Sequence, residues 1–243
     1  MNITYNNQTI DFTMPNNHEI VISLSGGVDS AALFYLVCKH YPEKIYIPFT
    51  GLDENAPKDA EAALLITKFM KKKFKRLQIR NLSVFNFNDR EYKYTTFKQV
   101  KKVRKRRFPE MNMRQVSKMV QLNKIGLDMY NSFPFSIEID GMTANPSIED
   151  MQNNNFGHFG EDRRNLNKEI LTFRNNRWQP FINVNKKFIA DIYKKNKLIN
   201  NLFPITRSCT GTAIETNNFT KECHKCFWCF ERKWAFNLDW EGD

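Results

Sequence analysis

Two short stretches of the chain carry residue types and spacings that do chemistry. The first is Ser25-Gly26-Gly27-Val28-Asp29-Ser30, which follows a β-branched apolar run and leads into a helical one. Two adjacent glycines let the backbone turn sharply and present its N–H groups. Asp29 or Ser30 can cap the helix that follows. The helix N-terminus adds orphan N–H groups and partial positive charge, and Ser25 and Ser30 add hydroxyl donors, so the loop suits a phosphate. It has neither the Lys of a Walker loop nor the glycine spacing of a dinucleotide fold. The plainer alternative is an ordinary strand–turn–helix with a capping Asp.

The second stretch is Cys223-x₂-Cys226-x₂-Cys229, with Cys209 fourteen positions earlier. Four thiolates fill the tetrahedral shell of a structural zinc ion and leave no open position. An iron–sulfur cluster is the rival for a four-cysteine set, and unligated thiols are the remaining alternative. His224 lies inside the knuckle but is not expected to be a ligand. Cys38 sits among Phe34, Leu36 and Val37 and reads as a buried small hydrophobe.

The elements that must position these groups read as alternating strands and helices. His18 to Ser25 is a buried strand and Ser30 to His40 a buried helix. Lys44 to Phe49 is a second strand whose Pro48 places its end at an edge or loop. Pro57 to Phe74 is a helix with Pro57 in its first turn, and Arg76 to Leu82 is a third strand. Met111 to Tyr130 is helical with a break near Gly126. Phe135 to Ile139 is a strand, Gln152 to Asn165 a long loop, and Asn185 to Leu198 an amphipathic helix. This alternation predicts an α/β fold with a doubly wound, mostly parallel sheet, followed by a C-terminal zinc-binding knuckle. The expected division is residues 1–200, with a basic helical insertion at about 85–132, and a four-cysteine zinc-binding segment at 201–243. In such sheets ligands gather at strand carboxyl ends, where Asp53 and Asp140 fall. Either can bind Mg²⁺ or substrate, or serve as a loop or cap carboxylate.

The formal charge of +11 is concentrated. Residues 68–124 hold 19 Lys or Arg against three acids, and the rest of the chain is mildly acidic. That segment is a solvated helical face or a contact surface for nucleic acid or another polyanion. A 41% hydrophobic content with 21 Phe excludes a disordered chain. No apolar run is long enough for a spanning helix, and the first residues lack a signal-peptide layout. The expectation is a cytoplasmic protein without a membrane contact.

The loop resembles the pyrophosphate loop of the N-type ATP pyrophosphatases, or PP-loop superfamily. The resemblance implies ATP as substrate, cleaved to AMP and pyrophosphate. Ser25, Gly26, Gly27, Asp29 and Ser30 would hold the pyrophosphate, with Mg²⁺ screening its charge. Taken with Ser208-Cys209 and the run Cys223 to Phe236, it resembles the 7-cyano-7-deazaguanine synthase family. That family ends in Ser-Cys, C-x-x-C-x-x-C, and an Arg followed by Ala-Phe. Gln179 to Lys186 resembles its Pro-Leu-Ile stretch, with Lys186 matching its lysine, and Asp140-Gly141 with Glu149-Asp150 resembles its central segment. Phe49 to Asn55 keeps the Gly of the family's post-strand run, as Gly51, but not its Arg-His pair. The family's Tyr-Pro-Asp-Cys-Arg segment is absent.

The resemblance implies ATP-dependent amidation of a 7-deazaguanine carboxylate by ammonia, to amide or nitrile, in a homodimer. Asp29 and Lys186 would be catalytic. Lys186 would stabilise phosphate charge or the acyl-adenylate, its alternative being a solvated helix-start lysine. Gly51 and Asp53 would join the nucleotide site. Two other functions compete. One is a tRNA-modifying enzyme such as a thiolase, using 68–124 on RNA. The other is a non-catalytic, zinc-containing nucleic-acid binder.

Overall fold

The chain opens with a hairpin, β1 (Asn2–Tyr5) and β2 (Gln8–Asp11), paired antiparallel around Asn6 and Asn7. Both asparagines have positive φ, 46° and 56°, as the two-residue turn that matches strand twist requires. This computed structural model describes residues 1–53, 57–86, 136–154, 170–174 and 176–239, with 120, 124, 125, 128, 129, 132, 133 and 156. Most of the Met111–Tyr130 helix with its Gly126 break, most of the loop beyond Asn154 and nearly all of the 85–132 insertion lie outside these residues.

β3 (Glu19–Ser23) leads through the glycine loop into α1 (Val28–His40), and β4 (Ile45–Leu52) into α2 (Pro57–Lys73). β5 (Gln78–Ile79) and β6 (Ser83–Asn86) both pair with β4, and β7 (Ser136–Ile139) returns to the other side of β3. α3 (Ile148–Asn153) is capped by Ser147, whose Oγ accepts from the Asp150 N–H at 3.0 Å. A second hairpin, β8 (Phe173–Arg174) and β9 (Arg177–Trp178), extends the sheet beyond β7. α4 (Lys186–Lys195), a 3₁₀ turn at Phe203–Ile205 and α5 (Phe227–Phe236) complete the described elements.

The sheet order is β5-β4-β3-β7-β9-β8, with β6 also on β4, and every pairing but β8–β9 is parallel. β3 is central and covered on both faces, which is why it reads as a continuous apolar run. Ile20, Ile22 and Tyr46 pack in the core that contains α1, while Val21, Ile47 and Phe49 pack on the opposite face with Ile125 and Met129. The α/β fold with a doubly wound, mostly parallel sheet is therefore present as expected. β4 and β7 flank β3 and leave it in opposite directions, so the strand order reverses at its carboxyl end. α5 buries Phe227, Trp234, Ala235 and Phe236 in the same core as α1 and α4.

The structure corrects three expectations about the elements. α1 starts at Val28, with Gly27 as N-cap and no side-chain cap, so Asp29 and Ser30 lie in the first turn instead of capping it. β4 runs through Pro48 to Leu52. Tyr46 accepts from the Arg80 N–H, so Pro48, two residues on, turns its missing donor to the same side. There the partner changes from β5 to β6, and no ladder bond is lost. The expected third strand at 76–82 is reduced to β5, and β6 begins beyond it at Ser83. The hairpins β1–β2 and β8–β9, and helix α5, are additions to the sequence reading.

Candidate phosphate site and metal centre

The glycine loop sits at the carboxyl end of β3, where α/β sheets place ligands. Gly26 adopts φ +81°, and a Cβ there would lie 2.5 Å from the Asp59 carbonyl oxygen of α2. Both backbone and space demand glycine. The loop is braced internally: the Gly27 N–H donates to Ser25 Oγ at 3.3 Å, Ser25 Oγ and Ser30 Oγ lie 3.2 Å apart, and Ser30 Oγ donates to the Gly27 carbonyl. The first N–H groups of α1 have no carbonyl four residues behind them, and the helix dipole adds positive character, so this end favours an anion.

Three segments distant in sequence close on the loop. Gly141 packs so tightly that a Cβ would fall 2.6 Å from the Asp29 carbonyl. The Arg207 N–H donates to the Gly26 carbonyl at 2.8 Å, and the Ser208 hydroxyl lies beside Gly27. The Tyr193 hydroxyl of α4 donates to the Val28 carbonyl at 3.1 Å, and burial pushes that phenol well above its ordinary range. Gly51 and Asp53 stand at the carboxyl end of β4, on the same edge as the loop, because Ser23 pairs with Phe49 two residues earlier on each strand. Asp140 follows β7 on that edge. Its carboxylate accepts from Gln179 Nε2 and the Met142 N–H, with Arg177 Nε 3.6 Å away.

Lys186 is not a solvated lysine. Its side chain is 1% exposed, and its Nζ lies 3.0 Å from Asp29 Oδ2 and 2.7 Å from Glu231 Oε2. It also lies over the Trp228 ring at 5.4 Å. An ammonium at the first residue of a helix opposes the helix dipole, and burying it costs several kcal/mol unless it is paired. The two carboxylates supply that pairing. Asn185 caps α4 by accepting from the Lys187 N–H, and Gln8 of β2 exchanges two hydrogen bonds with Asn185. The N-terminal hairpin thus braces the turn that delivers Lys186.

Glu231 is a site residue that motif and spacing do not single out. A signal existed: Phe227, Glu231 and Ala235 recur every four residues, which puts them on one helix face, and all three are buried. A carboxylate on an apolar stripe marks a buried partner. Next to it, Arg232 donates from Nη1 to the Thr206 carbonyl and to Glu222, and from Nη2 to the Phe203 carbonyl, fastening α5 to the extended approach to Cys209.

The four knuckle thiols converge as the spacing implied. Ligand sulfurs of Cys209, Cys223, Cys226 and Cys229 all lie within 4.8 Å of one another, with Cys223 and Cys229 at 4.0 Å. Four sulfurs at about 2.3 Å from one tetrahedral ion stand roughly 3.8 Å apart, so the set fits a single metal ion. A cluster would place several iron atoms between its ligands and spread the sulfurs farther. Backbone N–H groups of Gly211 and Cys223 point at Cys209 Sγ, and that of Cys226 at Cys223 Sγ. Such donors favour thiolates. Hydrogen bonding from Cys209 and then Cys229 holds the Cys226 thiol far below its ordinary range, and the same contact with Cys226 pushes Cys209 up to about 12. His224 occupies a left-handed turn position, φ 54°, outside this ligand set. Cys38 is buried in α1, and burial pushes its thiol well up.

No helix among the described residues is long and apolar enough to cross a membrane. No protein-family model matches the sequence, and no curated protein matches it. Among solved structures, the chain is similar to the NH3-dependent NAD synthetase of Campylobacter jejuni, at 14% identity over 78% of this chain and 69% of that one, TM-score 0.41. It is similar to the U34-tRNA thiolase of Methanococcus maripaludis, determined with its 4Fe–4S cluster, at 16% identity over 92% and 72%, TM-score 0.45. It is also similar to the NMN synthetase of Francisella tularensis, at 14% identity over 91% and 85%, TM-score 0.47.

Proposed function

We propose that the chain is an ATP-dependent, AMP-forming enzyme that adenylates a 7-deazaguanine carboxylate and converts it with ammonia to the amide or nitrile. The observation that carries the ATP part of this reading is the placement of Lys186 against Asp29 in the first turn of α1, at the end of the Ser25–Ser30 loop, and the acceptor rests on the family resemblance of the Gln179–Lys186 and Cys209–Phe236 segments. A phosphate-binding loop, a buried cation and an acidic residue at one strand end form a site for splitting a polyphosphate. ATP would lie with its β- and γ-phosphates on the loop, and Asp29 and Asp53 would hold Mg²⁺, which screens phosphate charge.

The reaction follows from the leaving groups. A carboxylate is a poor electrophile because an oxide must depart. Attack of its oxygen on the α-phosphorus expels pyrophosphate into the loop and gives a mixed anhydride. Ammonia then attacks the acyl carbon, AMP leaves, and a proton is lost to solvent. For the nitrile, the amide oxygen attacks the α-phosphorus of a second ATP and expels pyrophosphate, and loss of AMP with both N–H protons then completes the triple bond. The loop and Lys186 act by positioning and by stabilising charge on the departing phosphate. The four thiols would hold zinc as a closed, structural ion.

Two features disfavour thiolation. Cys38 is the one cysteine outside the knuckle, and it is buried with its thiol held in the protonated form. The knuckle geometry fits one ion, not a cluster. The test is incubation with ATP, Mg²⁺, ammonia and 7-carboxy-7-deazaguanine under metal-replete conditions, read by mass spectrometry. Amide or nitrile with stoichiometric AMP is expected. AMP without either product would leave the ATP site standing and reject this acceptor.

A further inference from the structure

We propose that Glu231 is a positioning residue for Lys186, and that through it the thiol knuckle sets the geometry of the phosphate loop. This rests on the reading of that loop as the ATP site. Glu231 is fully buried and lies 2.7 Å from Lys186 Nζ, closer than Asp29 at 3.0 Å. It belongs to α5, whose N-cap is Cys226 and whose first turn carries Cys229. The path Cys229–Glu231–Lys186–Asp29 therefore joins the metal centre to the first turn of α1.

A second path runs beside it. Cys209 follows Arg207 and Ser208, and the Arg207 N–H bonds the Gly26 carbonyl while Ser208 lies beside Gly27. The knuckle thus reaches the loop from two sides, through a backbone hydrogen bond and a buried ion pair. Lys186 has a long, flexible stem. With Asp29 as sole partner it would have a wide arc of positions; between two carboxylates on different helices it has one. Glu231 is sealed from solvent behind Lys186, so its carboxylate acts on the lysine and does not touch substrate.

The test is a double-mutant cycle on the full, metal-replete chain, using Glu231→Gln, Lys186→Met and the pair. Three quantities are read: metal per chain, melting temperature without nucleotide, and kcat and KM for ATP-dependent AMP release. Glu231→Gln keeps the shape of the side chain, so full metal content is expected. Its kcat is expected to fall about 100-fold, the scale of a misplaced catalytic group. In the Lys186→Met background the same change is expected to cost less than about threefold, because its target is gone.

Melting gives a second reading that does not need turnover. Glu231→Gln is expected to lower the melting temperature of wild type but to raise that of Lys186→Met, where Glu231 is left without its ammonium. Independent losses, multiplying in kcat and adding in melting temperature, would overturn the proposal. So would a Glu231→Gln chain whose activity falls only in step with lost metal. If wild type forms no AMP, the ATP reading fails, and the melting cycle alone decides whether Glu231 acts on Lys186. If Glu231→Gln does not fold, the same cycle is run with Glu231→Asp, whose shorter reach must show the same dependence on Lys186 for the proposal to stand.

Discussion

Lys186 and Asp29, 157 positions apart, meet at 3.0 Å and join the first residue of α4 to the first turn of α1. The loop that suits a phosphate and the lysine that would act on it are thereby one site. Lys186→Met removes the cation and leaves Glu231 and Asp29 facing each other without it. Breaking a buried pair in this way costs about 3–5 kcal/mol. We expect a matching loss in urea denaturation, together with a large but measurable fall in the rate of AMP release. Wild-type stability in this variant would contradict the buried pairing.

The loop tolerates no side chain at Gly26. Its φ of +81° strains any L-residue, and a Cβ would press on the Asp59 carbonyl. Gly26→Ala is expected to destabilise the chain by about 1–3 kcal/mol from backbone strain, with a further loss from the clash. Gly141→Ala pushes on the Asp29 carbonyl instead. It should weaken ATP affinity, read by calorimetry, more than its effect on unfolding would suggest.

How much of this was visible in the sequence depends on how local each signal is. The Ser25–Ser30 loop and the cysteine spacing are contiguous, and both arrangements appear where they were expected. Lys186 was legible through a family resemblance, but its burial was not, because helix-start lysines are usually solvated. Glu231 depends on a pairing across 45 positions that no local pattern states. Pro48 misled in the other direction: its effect on a strand depends on which side its missing N–H faces, and that is decided by where β5 ends and β6 begins. The short hairpins are too brief for periodicity, although the Asn6-Asn7 pair is a turn signal in its own right.

The metal centre should bind one zinc per chain without visible absorbance. Cys226→Ser is expected to lose the metal and destabilise the fold, since that residue is the N-cap of α5, which carries core side chains. Gly211→Ala should weaken metal retention against a chelator, because its Cβ would sit 2.6 Å from Cys223 Cβ. Iron and a brown colour in anaerobically purified protein would contradict the single-ion reading.

The Glu138–Arg177 pair gives a pH dependence whose sign follows from burial. Burial holds the Glu138 carboxyl above its ordinary value of 4.5, against the opposing pull of Arg177. The folded chain therefore binds this proton more tightly than the unfolded chain. The group's contribution to stability is full below 4.5 and is lost as pH rises through the folded value. Wild type should lose stability relative to Glu138→Gln across that window, in urea titrations at a series of pH values. A difference that stays constant, or grows in favour of wild type, would show that Arg177 outweighs burial.

The central claim is that this chain splits ATP between its α- and β-phosphates at the Ser25–Ser30 loop. The direct measurement is product analysis of labelled ATP with wild type and Asp29→Ala, each checked for metal content. The account predicts AMP and pyrophosphate from wild type in the presence of the deazaguanine carboxylate and ammonia, and none from Asp29→Ala with its metal intact. ADP and phosphate from wild type, or AMP formation undiminished in Asp29→Ala, would contradict it.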